Sequence, residues 1–289
     1  MSPTLSPEEL EKKADSYYKK SGSFFSRLLS QVDLPHAADL YIQAAQAYGN
    51  ASNYTKSAEL FYKAAEILFG DGKEESMYES SSAFVKAAEA YYIVDKDMCT
   101  VAYGRAFDVA TMHIRDFSMA AILAVKTAKS FLELKKDTTA LEYLYKAASL
   151  YGQAKMCINR RNILVQCAEL EMRRKNYEKA FELYKELSED NSALGQVIEK
   201  TSFFFCAILC GIIVGRTDEC SAIMNQMDET RIETKIIYQM MRTKTTSQAA
   251  SDELEKNITY FRKTHKVSPE VISALQDVQM SIDPNNDIL

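Results

Sequence analysis

The chain has 289 residues, 47% of them hydrophobic and 26% charged, enough for one elongated domain or two compact ones with a sizeable core. A formal net charge of −5 argues against nucleic acid as the partner, because phosphate-backbone binding needs a basic surplus. Six cysteines without regular pairing, and a polar, acidic N-terminus where a secretory leader would be basic and apolar, point to a reducing, cytoplasmic setting.

No proline lies between Pro35 and Pro269, so long helices meet no imposed break and the chain reads as all-α. The first helix is expected from about Pro7 to Lys20. The stretch SGSFFSRLLSQVD follows, in which Phe24, Phe25, Leu28 and Leu29 stand among serines, glycine and charges. Two uses fit these side chains. They can fold back between the first helix and the one beginning near His36, or they can enter a membrane surface, with Arg27 beside a lipid phosphate. Each buried phenylalanine contributes about 1.5–3 kcal/mol, so the membrane grip would be weak and reversible.

From Tyr41 onward the chain repeats a helix-length phrase in which an aromatic or aliphatic residue is followed three places later by alanine, as in AADLYIQAAQAY, SAELFYKAAEIL and LEYLYKAASLY. The anchors are Tyr41, Phe61, Phe84, Tyr103, Ala124, Leu144, Leu164 and Leu183, at steps of about 20 residues. Each phrase carries an apolar stripe that a single hairpin cannot bury, whereas a stack of antiparallel hairpins can. The expectation is a right-handed α-solenoid of TPR-like hairpins over residues 1–190, with a pair period of about 40 residues. Polar turns such as GNASNY, HIRDF and RRKNY separate the phrases, and Asn53, Asp116 and Asn176 are expected helix N-caps. After Ser188 the pattern weakens. Residues 191–282 are expected to form a C-terminal helical bundle, including the buried run Phe203–Val214, too short at 12 residues for a bilayer span of about 20. Residues 283–289 form a short polar tail.

No nucleophile elbow, Walker loop or HExxH occurs, and the histidines, His36, His113 and His265, stand far apart. These absences argue against an enzyme, a metal site or a cofactor. Cys206 and Cys210 read as buried thiols one turn apart, and Glu66, Glu89 and Glu169 as solvated or salt-bridged acids. The densest basic cluster is Lys155, Arg160 and Arg161, with Arg173, Arg174 and Lys175 one helix further on. It serves either as a solvated face or as a dock for an acidic partner.

KKSGSFFSRLL, NYTKSAELFYKAAEIL, SAFVKAAEAY, DFSMAAILAVKTAKSF, ALEYLYKAASLY, NYEKAFELYKEL and KTSFFFCAILC, in this order and spacing, resemble the soluble NSF attachment proteins, the SNAP family, in its alpha type. The resemblance implies a non-enzymatic, cytoplasmic adaptor, peripheral on membranes, that coats a four-helix bundle of syntaxin-type and other SNAREs. It recruits the hexameric ATPase NSF to unwind that bundle. It implies membrane contact at Phe24 and Phe25, with Leu28 and Leu29 beside them, and stimulation of the ATPase by a tail matching Asp287, Ile288 and Leu289. Departures are also present. Ser52, Tyr92, Ile93, Ile122 and Asn162 stand where family members carry lysine toward the SNARE bundle, and Arg242 and Lys244 stand where acids are expected. The SNARE-facing charge would then come from Arg115, Lys155, Arg160 and Arg161. The alternative is a divergent helical scaffold for another peptide or helical partner, without NSF.

Overall fold

The structure is a computed structural model that describes residues 5–21, 33–189, 197–242 and 248–282. Among these residues there are helices and no strands, in two compact units, Met1–Met156 and Cys157–Leu289. The first unit holds α1 (Pro7–Ser21), α2 (Leu34–Asn50), α3 (Tyr54–Asp71), α4 (Glu74–Val94), α5 (Lys96–Val109), a π-turn (Ala110–Ile114), α6 (Phe117–Glu133) and α7 (Asp137–Gln153). The second holds α8 (Cys157–Arg173), α9 (Tyr177–Glu189), α10 (Val197–Ile213), α11 (Thr217–Met224), α12 (Ile232–Arg242), α13 (Gln248–Thr264) and α14 (Pro269–Ile282).

Within the first unit each helix packs on the next, α1 through α7, and from α2 onward the connections are short enough to force antiparallel neighbours. This is the expected solenoid of helical hairpins. Tyr41, Phe84, Ala124 and Leu144 are fully buried; Tyr103 is the anchor that stays half-exposed. The caps follow the sequence: Asn53, Asp95 and Asp116 accept from the backbone N–H three residues on. Asn176 instead donates its side-chain amide to Glu171 at 3.0 Å.

The turns share one device. Ser52, Lys135, Lys155, Lys175 and Gly215 adopt left-handed φ angles between 56° and 78°, each closing a helix with the next residue's N–H bonded back to a carbonyl five places earlier. Arg115, at φ 59°, closes the π-turn on the carbonyl of Ala110. Arg115, Lys135, Lys155 and Lys175 recur at a constant interval, one per helical phrase, and put cations where glycine would suit the backbone better.

Helices two apart are joined by ion pairs that repeat the hairpin period. Glu66 meets Arg105 at 2.9 Å, Glu89 meets Lys126 at 3.2 Å and Asp97 meets Lys136, at the start of α7, at 3.3 Å, at separations of 37 to 39 residues, while Lys96 at the start of α5 reaches Glu133 at the end of the adjacent α6 at 2.6 Å. The expected salt-bridged roles of Glu66 and Glu89 are thus realised. Alternate helices consequently form two rows, α3–α5–α7 and α4–α6.

The second unit is organised around α10, where every residue from Phe203 to Cys210 is buried, as a helix apolar on all sides requires. It packs on α9, α11, α12 and α14. Gly211 lets α9 and α11 approach: an added Cβ would lie 2.4 Å from Cys220 Sγ and 2.9 Å from the Phe181 ring. Burial pushes the Cys206 thiol up to about 12 and holds Cys210 well above the usual thiol range. The units divide at 156/157, whereas the repeat phrases run on to 190. The hairpin α8–α9 sits with the C-terminal helices because α8 packs on α14, where Asp277 receives Tyr177 Oη and Lys175 Nζ.

Candidate partner-binding surfaces

The four side chains expected at a membrane, Phe24, Phe25, Leu28 and Leu29, lie outside the described residues, between Ser21 at the end of α1 and Leu34 at the start of α2. Asp287, Ile288 and Leu289 also lie outside them. The frame around the first segment is described. Helix α1 is polar and buries little beyond Ala14, and is held mainly by its acids. Asp15 accepts from Tyr41 Oη at 2.5 Å and Lys63 Nζ at 2.9 Å; Glu11 accepts from Tyr48 Oη at 2.8 Å and Lys56 Nζ at 3.3 Å. Burial alone would raise the Asp15 carboxyl, but the hydrogen bonds from Tyr41 and Lys63 outweigh it and lower its pKa. Tyr48, desolvated and bonded to Glu11, is pushed up to about 12.

The four basic candidates do not act alike. Arg115 and Lys155 are exposed at left-handed turns ending alternate helices, which places them on the same edge of the first unit. Arg160, in the second unit, is half-exposed and bonded to Glu186. Arg161 is 8% exposed, its guanidinium 5.3 Å from the Phe203 ring centre. It is a core cation stacked on an aromatic face and offers no charge to a docking surface. The repeat register contains this outcome: Ser81, Ala121 and Arg161 occupy the same place in successive hairpins, and all three are buried.

At the positions where lysines are expected, Ile93 is 58% and Ile122 46% exposed, and Ser52 and Asn162 are exposed as well. Tyr92 donates to Glu133 at 2.9 Å while Lys96 sits 3.1 Å from its ring centre and bonds the same carboxylate. The hydrogen bond from Lys96 depresses Glu133. The C-terminal end of α4 is therefore apolar at Ile93 and internally neutralised where Tyr92, Lys96 and Glu133 meet. No helix among the described residues is long and apolar enough to cross a membrane.

The profile described as soluble NSF attachment protein, SNAP, matches residues 5–283. The chain belongs to the soluble NSF attachment protein family. The match spans both compact units and nearly the whole chain, so the SNAP assignment covers the α1–α7 stack and the α10-centred unit alike. No match was found among curated protein sequences. Similar solved structures are helical but distant. BtubC (BKLC) from P. vanneervenii is 12% identical with a TM-score of 0.42, over 90% of this chain and 94% of that one. A signal transduction ATPase with a tetratricopeptide repeat sensor from Pyrococcus horikoshii is 13% identical with a TM-score of 0.47, over 96% of this chain and 44% of that one. Aspartyl phosphate phosphatase F from Bacillus subtilis is 13% identical with a TM-score of 0.42, over 93% and 68%.

Proposed function

We propose that this SNAP-family chain is an adaptor that binds assembled SNARE bundles and recruits and stimulates the NSF ATPase for their ATP-driven disassembly. The observation that carries the reading is the family match over residues 5–283. The stacked hairpins support it physically. Ion pairs between helices two apart resist bending, which suits a lever between a motor and its load. In this reading Phe24 and Phe25, flanked by Leu28 and Leu29, touch the membrane, Asp287, Ile288 and Leu289 contact the ATPase, and Arg115, Lys155 and Arg160 face the SNARE bundle. Arg161 is withdrawn from that set, being buried.

The test is disassembly of a fluorescently labelled SNARE complex by NSF and ATP, with and without the purified protein. Faster disassembly with the protein is expected, and a rate equal to the adaptor-free control would end the reading. Phe24→Ser with Phe25→Ser should slow the reaction only when the SNAREs sit in a bilayer. An equal loss in detergent would assign those rings to folding. The exposed Ile93 and Ile122 favour a second reading, a scaffold for another helical partner that never meets NSF. Removing residues 283–289 separates the two, since ATPase stimulation is lost under the first and binding to the scaffold's partner is unaffected under the second.

A further inference from the structure

Gly104 interrupts the repeat on α5. The phrases FYKAA and LYKAA place Tyr62 and Tyr145 before the lysine on α3 and α7, and the matching place before Arg105 is glycine. Its backbone is helical, so no unusual φ requires it, and an alanine there costs less than glycine by about 1 kcal/mol. Nothing fills the space either: the nearest heavy atom to an added Cβ is Tyr143 Oη at 4.0 Å. The result is an open notch of about 280 Å³ between α5 and α7, walled by Val101, Phe131 and Leu134.

Its polar lining comprises two acids, Asp97 and Asp108, two bases, Arg105 and Lys136, and the Thr100 and Tyr143 hydroxyls. Both bases are already paired, Arg105 on Glu66 outside the notch at 2.9 Å and over the Phe69 ring, and Lys136 on Asp97 within its lining at 3.3 Å. Lys146 on α7 lies over the Tyr143 ring, 4.5 Å from its centre. Tyr143 is fixed by stacking on Phe131 and an edge contact with Phe107. That leaves the Asp108 carboxylate, half-buried in the notch with no ion pair among the described residues, beside the Tyr143 hydroxyl.

We propose that this notch receives a lysine or arginine side chain presented by a partner polypeptide, its alkyl stem against Val101, Phe131 and Leu134 and its charged head on Asp108 and Tyr143. Burial raises the Asp108 carboxyl despite Arg105 and Lys146 nearby, so a further cation would relieve a cost the free protein carries. The contact uses an acid, Asp108, and none of Arg115, Lys155 and Arg160, the residues assigned to the SNARE bundle, so it does not depend on that assignment.

The experiment uses the full chain with carbon-13-labelled tyrosine rings. It is titrated with an alanine-rich helical peptide bearing one central arginine, with the same peptide bearing neutral citrulline, and with n-butylguanidinium alone. The expected result is a shift of the Tyr143 resonance with the arginine peptide, tighter than citrulline and the free cation by about tenfold or more, and weakened to a similar degree by Asp108→Asn and by Gly104→Tyr. Equal binding of arginine and citrulline, or an Asp108→Asn variant that binds as the parent does, overturns the proposal. So does free n-butylguanidinium binding as tightly as the peptide. Asp108→Asn is isosteric and decides the matter even if Gly104→Tyr does not fold.

Discussion

Gly211→Ala should destabilise the second unit even though alanine is the better helix former. An isolated helix gains about 1 kcal/mol from this exchange. Here the new methyl would sit 2.4 Å from Cys220 Sγ and 2.9 Å from the Phe181 ring, well inside the 3.5–4.0 Å at which heavy atoms attract. Overpacking costs about 1–3 kcal/mol and a 2.4 Å approach belongs at the upper end, about 2–3, so after the helix gain the net loss is about 1–2 kcal/mol. Gly104→Ala is the matched control, because its nearest neighbour is 4.0 Å away and the full gain of about 1 kcal/mol should survive. Urea unfolding followed by circular dichroism would show the first midpoint falling by roughly 0.5–1 M and the second rising. Adding Cys220→Ala to Gly211→Ala removes the nearer obstacle and should return part of the loss, with a coupling above about 0.5 kcal/mol. A Gly211→Ala protein as stable as the parent would mean that α9 and α11 do not approach α10 at this glycine.

Arg161→Ala should cost the second unit about 2 kcal/mol through lost packing and cation–π contact, while Arg160→Ala, at an exposed pair, changes stability by less than about 0.5 kcal/mol; the same unfolding assay ranks them. Lys155→Gly relieves the left-handed turn and should raise stability by up to about 1 kcal/mol while weakening low-salt binding to an acidic bundle; a fall in stability would contradict the turn geometry. Acid should release α1: the Asp15 contribution is complete above the unfolded carboxylate pKa of about 3.9 and is lost as pH falls through the lower folded value. Hydrogen exchange of α1 amides, corrected for intrinsic rate, should lose protection in that window in the parent but not in Asp15→Asn, and identical profiles would sink the assignment.

The helices and their burial were legible because most phrases couple a large anchor to a small residue three places on, as Tyr41 to Ala44 and Phe61 to Ala64, a pattern that stacking buries. Asn53 and Asp116 were legible as caps for the same local reason. Arg161 was misread from its neighbours in sequence, Lys155 and Arg160, although its register with Ser81 and Ala121 marks the buried side. The division at 156/157 could not be read locally. Nothing in composition changes there, and it depends on the α8–α9 hairpin meeting α14, a helix 100 residues away, as where Tyr177 at the start of α9 bonds Asp277. The notch was hidden for a related reason. A lone glycine inside a helical phrase looks like weakened propensity until the facing helix is placed.

The ion pairs between alternate helices give the first unit a parity. Its smallest removable piece is a whole hairpin, after which Glu66-type acids again face Arg105-type bases and every later helix keeps its direction. Excising a single helical phrase would preserve each helix's own apolar stripe yet reverse all that follow, exchanging the two rows and moving Arg115 and Lys155 to the opposite edge. Length changes in this stack are therefore tolerated in even numbers of helices, and any variant that adds or drops one must rebuild both of its faces at once.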